Sequence, residues 1–571
     1  MPWNGLESLR EDGPAWNLRI SEFAPSLHFQ GILPMVCRVT TGRKITLIGL
    51  LLAAAMVAGL FGLHFYLRAS AARYRAELIR KGEKLKISEL QPSAVSPESN
   101  GAPALMAAVM KLPKGTNSEI SPIGMKLVAP GRAVVGWRQP DLRTRASEET
   151  NTWEELAQQC RDSAAALDEV HAALRLPEFD FKVNYLQGPS AVLPHLSSLK
   201  MVAQRLKNST MLHLHEGNLE LAFHDLQSLL AFCRTLENEP LMISQLVHIA
   251  CISIALNTTW EALQADGWSE AQLLELQRRW EKLRILDPCA QSLAMERAMM
   301  LQALEEMRHS SALYKNYFNG LASSGGSSDP LDAVGEGVKT GFEGLQGVVW
   351  SKFSSYNDER RYLVILEIII EASRQPASRR FYVPEEKRTK ELLAPLGYQE
   401  EQSFDTEPSH GLAPPPDIVP LLTAGLMKFD AKGFAAETQR ELAVVAIAIK
   451  RYQLRHGSAP SALTLLAPEF LAEVPLDRMD GKPLRYRLEP NGGFLLYSIG
   501  SDGVDDGGNG GRADGASSPT FPTSWLYGKD WVWPQPANRE EVEKYNATTG
   551  EEIRRKWEKR HKGKKQKSRG K

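Results

Sequence analysis

The sequence predicts a mainly α-helical fold, made of a single transmembrane helix and an α-helical bundle or solenoid, with a small α+β domain at the C-terminus. Three features indicate it: an uncharged apolar run near the N-terminus, apolar residues at helical spacing through the middle, and a strand pattern near the C-terminus. At about 150 residues per domain, 571 residues are too many for one ordinary core. With 43% hydrophobic and 24% charged residues, the chain is neither disordered nor a polytopic membrane protein.

The overall charge and the cysteines exclude several classes of function. Lys and Arg number 68 and Asp and Glu number 68, so the net charge indicates no nucleic-acid or acidic partner. The five cysteines are odd in number, widely spaced and without a CxxC pair. They therefore argue against a disulfide framework and against a thiolate zinc site.

The N-terminal region is predicted to carry a membrane anchor. Residues 45–67 contain no Asp, Glu, Lys or Arg and, at about 1.5 Å per residue, are long enough to cross a hydrocarbon core of about 30 Å. Residues 1–44 form an N-terminal segment that we expect to be disordered, and translation from Met35 instead of Met1 would give the layout of a signal-anchor. No small-residue cleavage site comes after the run, so we expect it to remain as a single span in the lipid bilayer.

The orientation of this anchor is predicted from opposing features. Three Lys or Arg lie in the twenty residues before the span and seven in the twenty after it, which by the positive-inside rule favours a cytoplasmic C-terminal region. Short N-terminal signal-anchors, however, commonly export the chain on their C-terminal side, and the resemblance of the C-terminal domain to an exported family points outward as well. We therefore expect an inner-membrane protein with its C-terminal bulk in the periplasm. Ala54, Ala58 and Gly62 form a stripe that would allow self-association of the span, although small residues are common in membrane helices.

The region between the anchor and the C-terminal domain is predicted to be helical. Residues 68–103 indicate a juxtamembrane helix and a linker, residues 104–397 an α-helical region, and residues 398–429, rich in Gln, Glu, Ser and Pro, a second linker. Ser269 and Gln272 form a capping box that predicts a helix start. An apolar face at helical spacing comes after this start, formed by Leu273, Leu276, Trp280 and Leu283.

The most apolar stretch of the helical region is predicted to be a core helix. It runs from Leu241 to Leu256, which is short for a membrane span. It also contains Gln245 and His248, which favour burial inside the protein over a second crossing of the bilayer.

Four side chains of the helical region are of metal-ligating types at close spacing, namely His213, His215, Glu216 and His224. On one continuous helix, His213 and His215 would point about 200° apart, and His224 would lie roughly 16 Å further along the axis. A single ion could not contact all of them. We therefore interpret these histidines as ordinary polar and surface residues rather than as a metal site.

An enzymatic alternative rests on three short motifs. Ser197-x-x-Lys200, Lys339-Thr340-Gly341 and Ser355-x-Asn357 have the residue types of the S-x-x-K, K-T-G and S-x-N motifs of penicillin-recognising serine enzymes. The order of the last two is reversed along the chain, and no strand pattern surrounds Lys339. A serine acyl enzyme using Ser197 and Lys200 is kept as an alternative, and no small-molecule substrate is indicated.

The C-terminal tail, residues 536–571, is strongly basic. From Arg554 to Lys571 it has eleven Lys or Arg and one acidic residue, Glu558. Such a block is normally solvated and would bind the phosphates of lipid or nucleic acid. Because Trp557 is its single aromatic residue, the tail has no stacking platform, and specific nucleic-acid binding is not expected.

Residues 430–535 are predicted to form the small α+β domain. Apolar residues at helical spacing up to Tyr452, and then Gly457, predict a helix and its end. A Pro-Asn-Gly-Gly turn between strand-like runs at 484–488 and 494–499 predicts an antiparallel hairpin packed on this helix.

An acidic, glycine-rich loop comes after the hairpin. Its carboxylates would repel one another unless they were fully solvated or gathered on a hard cation, and its glycines allow backbone carbonyls to turn inward. Calcium, which takes about six to eight oxygen ligands, suits this chemistry, although the spacing is not that of an EF-hand. From the residues alone, a calcium site and a flexible acidic loop are equal alternatives. The candidate ligands are Asp502, Asp505, Asp506 and Asp514.

The C-terminal domain contains a distinctive succession of turn and strand residues. The succession is Tyr452, Gly457-x-x-Pro460-x-x-Leu463, Pro475-x-Asp477, Asp480-Gly481-x-Pro483-Leu484-x-Tyr486 and Leu496-Tyr497-Ser498-x-Gly500-x-Asp502-Gly503. Over about residues 434–515, it resembles the globular end of the major pseudopilins of type II secretion. The resemblance implies a long helix on a small antiparallel sheet, folding outside the cytoplasmic membrane, and a calcium ion held by Asp502, Asp505 and Asp506, with Asp514 matching less closely.

The chain also departs from the pseudopilin pattern. Pseudopilins begin with a prepilin-peptidase site and a Glu near the start of the apolar run, and residues 45–67 contain no Glu. We therefore do not expect processing into a pilus. The phrases Tyr74-x-x-Glu77-Leu78 and Asp530-Trp531-Val532-Trp533-Pro534 are similar to those of large membrane-anchored proteins of planctomycete and verrucomicrobial bacteria, a resemblance that implies an architecture and no activity.

The predicted function is that of a non-enzymatic bacterial envelope protein, a scaffold or an accessory in secretion or envelope assembly. Two alternatives from other classes are the serine acyl enzyme at Ser197 and an electrostatic binder of phosphates or nucleic acid through the basic tail.

Overall fold

The computed structural model describes residues 41–113, 120–122, 124–143, 150–310, 312–314, 349–375, 381–382, 419–490, 492–511 and 528–547. In these ranges the chain is mainly helical with three small sheets, which confirms the predicted mainly α class. The chain divides into two compact units, Met1–Gly62 and Leu63–Lys571.

The helices succeed one another with short connections. They are α1 (Thr41–Arg80), α2 (Ile87–Leu90), α3 (Ala102–Lys111), α4 (Trp153–Ala173), α5 (His195–His215), α6 (Leu219–Cys233), α7 (Met242–Leu263), α8 (Glu270–Glu281), α9 (Leu286–His309), α10 (Ser355–Arg374) and α11 (Val419–His456). Single turns of 3-10 helix lie at Gly136–Arg138, Tyr185–Ser190, Arg234–Leu236 and Leu463–Leu466, and a π-helical turn at Trp350–Ser354 precedes α10.

The strands form three small sheets. They are β1 (Lys126–Ala129), β2 (Arg132–Val134), β3 (Leu142–Arg143), β4 (Thr150–Asn151), β5 (Arg485–Leu488), β6 (Phe494–Ser498), β7 (Trp531–Val532) and β8 (Gln535–Pro536). The sheet orders are β1-β2-β8, β3-β4 and β5-β6-β7. The pairs β1-β2, β3-β4, β5-β6 and β6-β7 are antiparallel, whereas β8 pairs parallel to β2.

Helix α1 begins as an exposed apolar helix. The stretch from Thr46 is long and apolar enough to cross a membrane, and none of its most apolar window is buried. The side chains of Leu50, Leu52 and Phe61 are all more than half exposed. The apolar N-terminal helix predicted from the sequence is therefore present.

The last turns of α1, within the second unit, are amphipathic. Leu78 is fully buried and Ala71 is 1% exposed, and Leu78 packs with Leu85, Leu301 and Leu363. The predicted juxtamembrane helix is therefore a continuation of α1 that contributes to the core of the second unit.

Helices α5 to α9 form the helical core. Helix α7 packs against α5, α6, α9 and α11, and its Ile252, Leu256 and Trp260 are fully buried. By length and composition α7 is a second candidate span, but half of its window is buried inside the protein, which agrees with the predicted core helix. The predicted capping box opens α8, where Gln272 N–H donates to Ser269 Oγ at 3.2 Å and Ser269 N–H donates to Gln272 Oε1 at 2.9 Å.

Helix α11 is longer than predicted. It begins at Val419, inside the segment 398–429 that was predicted to be a linker, and packs against α7, α8, α9 and α10. A Cβ on Gly433 would lie 3.2 Å from Cys289 Sγ of α9, so a glycine permits this close approach of the two helices. The helix of the predicted C-terminal domain thus shares its core with the helical region.

The predicted hairpin is present as β5 and β6, with Tyr486 opposite Leu496, and β6 contacts α11. Strands β1 to β4 were not predicted. Strand β8, near the C-terminal end of the described residues, pairs with β2 through Arg132 opposite Gln535. The same region is fastened to the helical core by Trp260, whose indole N–H donates to Pro534 O at 2.8 Å.

Candidate functional site

The acidic loop after β6 is held from within by a buried aspartate. The carboxylate of Asp530, just before β7, accepts backbone N–H groups of Gly508 and Asn509 at 2.8 Å each and of Asp506 at 3.3 Å. Burial raises the pKa of Asp530, although these N–H groups favour the charged form. Gly508 has φ of +83° and a Cβ there would collide with Leu495 Cδ2, so this turn of the loop requires glycine.

Basic side chains face the acidic residues of this loop. Asp505 Oδ2 lies 3.5 Å from Arg485 Nε, and Asp506 Oδ1 lies 3.4 Å from Lys529 Nζ. The backbone N–H of Gly507, which donates to Asp505 Oδ1 at 3.0 Å, lowers the pKa of Asp505. Countercharge therefore comes from β5 and from the residue before Asp530, a contribution that the spacing of the loop does not reveal.

The predicted calcium ligands are only partly described. Asp502 Oδ1 accepts the Val504 N–H at 3.0 Å, and Asp505 Oδ1 also accepts the Tyr497 hydroxyl at 3.0 Å. Asp514 lies outside the described residues. In the described part of the chain, neither of the two groups of three potential ligand atoms within 4.8 Å of one another includes an aspartate of this loop. Calcium binding by the loop stays a prediction.

The substitution Asp530→Ala is expected to lower the free energy of unfolding by about 2–4 kcal/mol, because three backbone N–H groups lose their acceptor in a buried setting. Asp502→Ala, which removes an exposed carboxylate with one N–H partner, is the matched control and should cost under about 1 kcal/mol. The measurement is thermal melting of the full-length chain in detergent, monitored by circular dichroism. Equal losses in the two variants would show that Asp530 does not hold the loop. The same melts with calcium added test the predicted ion, which should stabilise the native chain and lose that effect in Asp505→Ala.

Several residues of the pseudopilin-like succession contact one another around Asp477. This fully buried carboxylate accepts the Met479 and Ile499 N–H groups at 2.9 and 3.0 Å and the Ser498 hydroxyl at 2.8 Å. Arg485 Nη1 donates to Asp477 Oδ2 at 2.9 Å. Asp477 thus ties the turn before β5 to the end of β6, which is a structural role.

A second polar group lies where α4, α5 and α6 meet. Gly217, with φ of +74°, lies just after the end of α5, and the chain then enters α6, which packs against α5. His213 from α5 is thereby brought to Asp225 from α6, with Nδ1 3.0 Å from Oδ2. From α4, His171 places Nε2 3.3 Å from Asp225 Oδ1, and His224 Nδ1 lies 3.9 Å from the same oxygen.

This arrangement corrects the prediction that the histidines are too far apart to meet. The prediction assumed that His213 and His224 lie on one continuous helix, whereas two helices joined by a tight turn bring both to one carboxylate. His215 lies apart: its ring stacks on Trp153 at 4.0 Å, and its Nδ1 is 2.8 Å from Trp137 O. Glu216 is the exposed C-cap residue of α5. His171 and Asp225 were not among the residues predicted from the sequence.

The charges of the cluster are set by its burial and its hydrogen bonds. Asp225 is 4% exposed, and burial would raise its pKa, but bonds from His171, His213 and Ser209 lower it to about 2. Burial, and then the charge of His171, lower the pKa of His224. Asp225 is therefore a carboxylate at neutral pH and His224 a neutral imidazole with a free lone pair.

His171 also contacts a serine. Its Nδ1 lies 2.7 Å from Ser228 Oγ, so Ser228, His171 and Asp225 have the connectivity of a serine hydrolase relay. Ser228, however, lies in the interior of α6. The backbone N–H groups beside it are bonded to carbonyls one turn earlier, so they are not available as oxyanion donors. The contact serves to orient the imidazole of His171.

The motifs of the enzymatic alternative fall in different environments. Ser197 and Lys200 are exposed on α5, whereas Ser355 is buried at the start of α10, where its hydroxyl donates to Ser351 O at 2.9 Å and accepts from Arg308 Nε at 3.1 Å. Lys339, Thr340 and Gly341 lie outside the described residues. The acyl-enzyme alternative gains no catalytic pair from the described residues, in which no bond joins Ser197 to Lys200.

Two buried networks of charge hold the end of α1 to α9 and α10. Arg297, fully buried on α9, donates to Glu367 of α10 at 2.6 Å and to Glu83, which lies just after α1, and Glu83 also pairs with Arg374. Glu359 of α10, fully buried, accepts from Arg75 of α1 at 2.6 Å and from Arg308 of α9 at 2.5 Å.

A third buried carboxylate, Glu261, joins α7 to the first sheet. Its side chain accepts the Met125 N–H at 2.6 Å and the Gly136 N–H at 2.9 and 3.0 Å. Burial raises the pKa of Glu261 to about 7, although these bonds favour the carboxylate. Glu261 fixes the segment that flanks β1 and β2.

Comparison with known proteins finds no matching protein-family model, no matching curated protein and no matching solved structure.

Proposed function

We propose that the chain is a single-pass membrane protein of the bacterial envelope that acts as a non-enzymatic scaffold or accessory in secretion or envelope assembly. The observation that carries the anchoring is the change of character along α1. Its apolar window is unburied, whereas Ala71 and Leu78 in its last turns are buried. An exposed run of this length is stable in lipid and costly in water.

The charge networks at the end of α1 support a scaffold role. Arg75 is bonded to the buried Glu359, and Glu83, just beyond the helix, is bonded to the buried Arg297. Buried ion pairs have strict geometry, so they hold the end of this helix in a defined position on α9 and α10. A protein that presents a folded body at a membrane surface needs such an attachment.

The same contacts bear on orientation. Seven Lys or Arg lie in the twenty residues after the span, but Arg75 is paired with Glu359 and Lys81 lies 3.3 Å from Glu77. Basic residues that are neutralised in the fold contribute less to a surface charge than a count suggests. The proposal therefore keeps the C-terminal bulk outside the cytoplasmic membrane.

We predict that replacing both Leu51 and Ala55 by Arg will release the protein from membranes. Each Arg costs about 2.5–3.5 kcal/mol at the centre of a span, so the pair cancels most of the gain from insertion. The measurement is extraction of membranes at alkaline pH, in which the native chain should stay in the pellet. Leu186→Arg, at an apolar residue that is 59% exposed outside α1, is the matched control and should also stay in the pellet.

The orientation is tested by an alkaline phosphatase fused after Lys571, which is active only outside the cytoplasm. Activity of the fusion is the expected result. An inactive fusion that still sediments with membranes would leave the anchor intact and remove the role in secretion or envelope assembly. A double-Arg variant that still resists alkaline extraction would contradict the anchor itself.

A further inference from the structure

The cluster of His171, His224 and Asp225 has the composition of a transition-metal site. One ligand atom from each of the three residues lies within 4.8 Å of the other two. Two imidazoles and one carboxylate are ligands that zinc and its neighbours in the first transition series accept. A tetrahedral ion with bonds of about 2.0–2.2 Å holds its donor atoms about 3.3–3.6 Å apart.

The measured distances are close to this requirement. His171 Nε2 is 3.3 Å and His224 Nδ1 is 3.9 Å from Asp225 Oδ1. The ring centroids of the two histidines are 4.5 Å apart and the rings are tilted by 56°, so both rings approach one side of the carboxylate. His224 is 49% exposed at its side chain, which gives an ion a path from solvent and leaves room for a water ligand.

The surroundings of the three residues are also those of a metal site. Metal-bound imidazoles usually use their second nitrogen in a hydrogen bond that fixes the tautomer, and His171 Nδ1 lies 2.7 Å from Ser228 Oγ. Asp225 Oδ2, the oxygen not shared by His171 and His224, lies 3.0 Å from His213 Nδ1. Each inner residue that is buried therefore has an outer partner that orients it.

We propose that His171, His224 and Asp225 bind a divalent transition-metal ion of the zinc class, with His213 and Ser228 as positioning residues and water in the remaining coordination position. The ion would link α4 to α6. The second group of clustered ligand atoms, Glu83, Glu367 and Glu371, is different because Arg297 and Arg374 already neutralise it.

The test uses zinc alone on the full-length chain in detergent, purified without a polyhistidine tag and stripped of metal with a chelator. Titration is expected to show one zinc ion bound per chain, in the presence of excess magnesium and calcium, and a higher melting temperature with zinc. His224→Ala is expected to weaken zinc binding at least about 100-fold, and His213→Ala about 10- to 100-fold.

His309→Ala is the matched control, because His309 is an exposed histidine, 74% accessible at its side chain, outside the cluster. It should bind zinc as the native chain does. Melting of His224→Ala without zinc should match that of the native chain, since this side chain is half exposed. Failure of the native chain to bind one zinc ion, or equal zinc affinity in the native chain and His224→Ala, would overturn the proposal. Neither result depends on the membrane anchor.

Discussion

Replacing Arg297 by Ala is expected to lower the free energy of unfolding by about 3–5 kcal/mol, the cost of leaving buried charges without their partner. Arg297 is fully buried and bonded to Glu367 at 2.6 Å and to Glu83. Oxygens of Glu83, Glu367 and Glu371 lie within 4.8 Å of one another, so removal of the guanidinium leaves carboxylates facing each other. Melting of the full-length protein in detergent measures the effect.

The matched control for Arg297 is Arg374. It also pairs with Glu83 but is 38% exposed at its side chain, so Arg374→Ala should cost at most about 1 kcal/mol. A second readout is limited proteolysis, in which Arg297→Ala should expose the segment after α1 to cleavage because Glu83 has lost its buried partner. If both variants melt alike, the end of α1 is not held by this network.

Glu261→Ala is the second substitution with a large expected effect, about 3–5 kcal/mol, because the Met125 and Gly136 N–H groups would lose their acceptor and a cavity would form at a fully buried position. Glu261→Gln keeps one acceptor oxygen and nearly the same volume, so it should lose far less. Thermal melting of the full-length chain in detergent measures the loss, and similar melting of the Ala and Gln variants would contradict the role of these bonds.

The Gln variant also tests the raised pKa of Glu261. A carboxyl group whose pKa is about 7 in the folded protein binds its proton more tightly there than in the unfolded chain. Its contribution to stability is therefore present below the ordinary Glu pKa and is lost as pH rises toward 7. Between pH 5 and pH 8, Glu261→Gln should gain about 2 kcal/mol relative to the native chain. An unchanged difference would show that Glu261 ionises at its ordinary pKa.

Local features of this protein are readable from its residues. The exposed start of α1, the capping box at Ser269 and the hairpin β5-β6 were all predicted and are present. Each depends on residues within a few positions of one another, because helix caps, apolar periodicity and tight turns are local. Strands as short as β3 and β4 have two residues each and show too little alternation to be recognised.

The polar groups that matter most depend instead on contacts between distant segments. His171 and Asp225 lie on different helices, and so do Arg297 and Glu367, while Glu261 bonds to the segment around β1. Nothing in the spacing of these residues pairs them, because only the packing of α4 on α6, or α9 on α10, sets the distances. A histidine beside an aspartate in sequence is common, whereas three histidines around one buried carboxylate require a folded chain. The residues thus specified the anchor, the helices and the hairpin, and the folding of helices against one another created the candidate metal site.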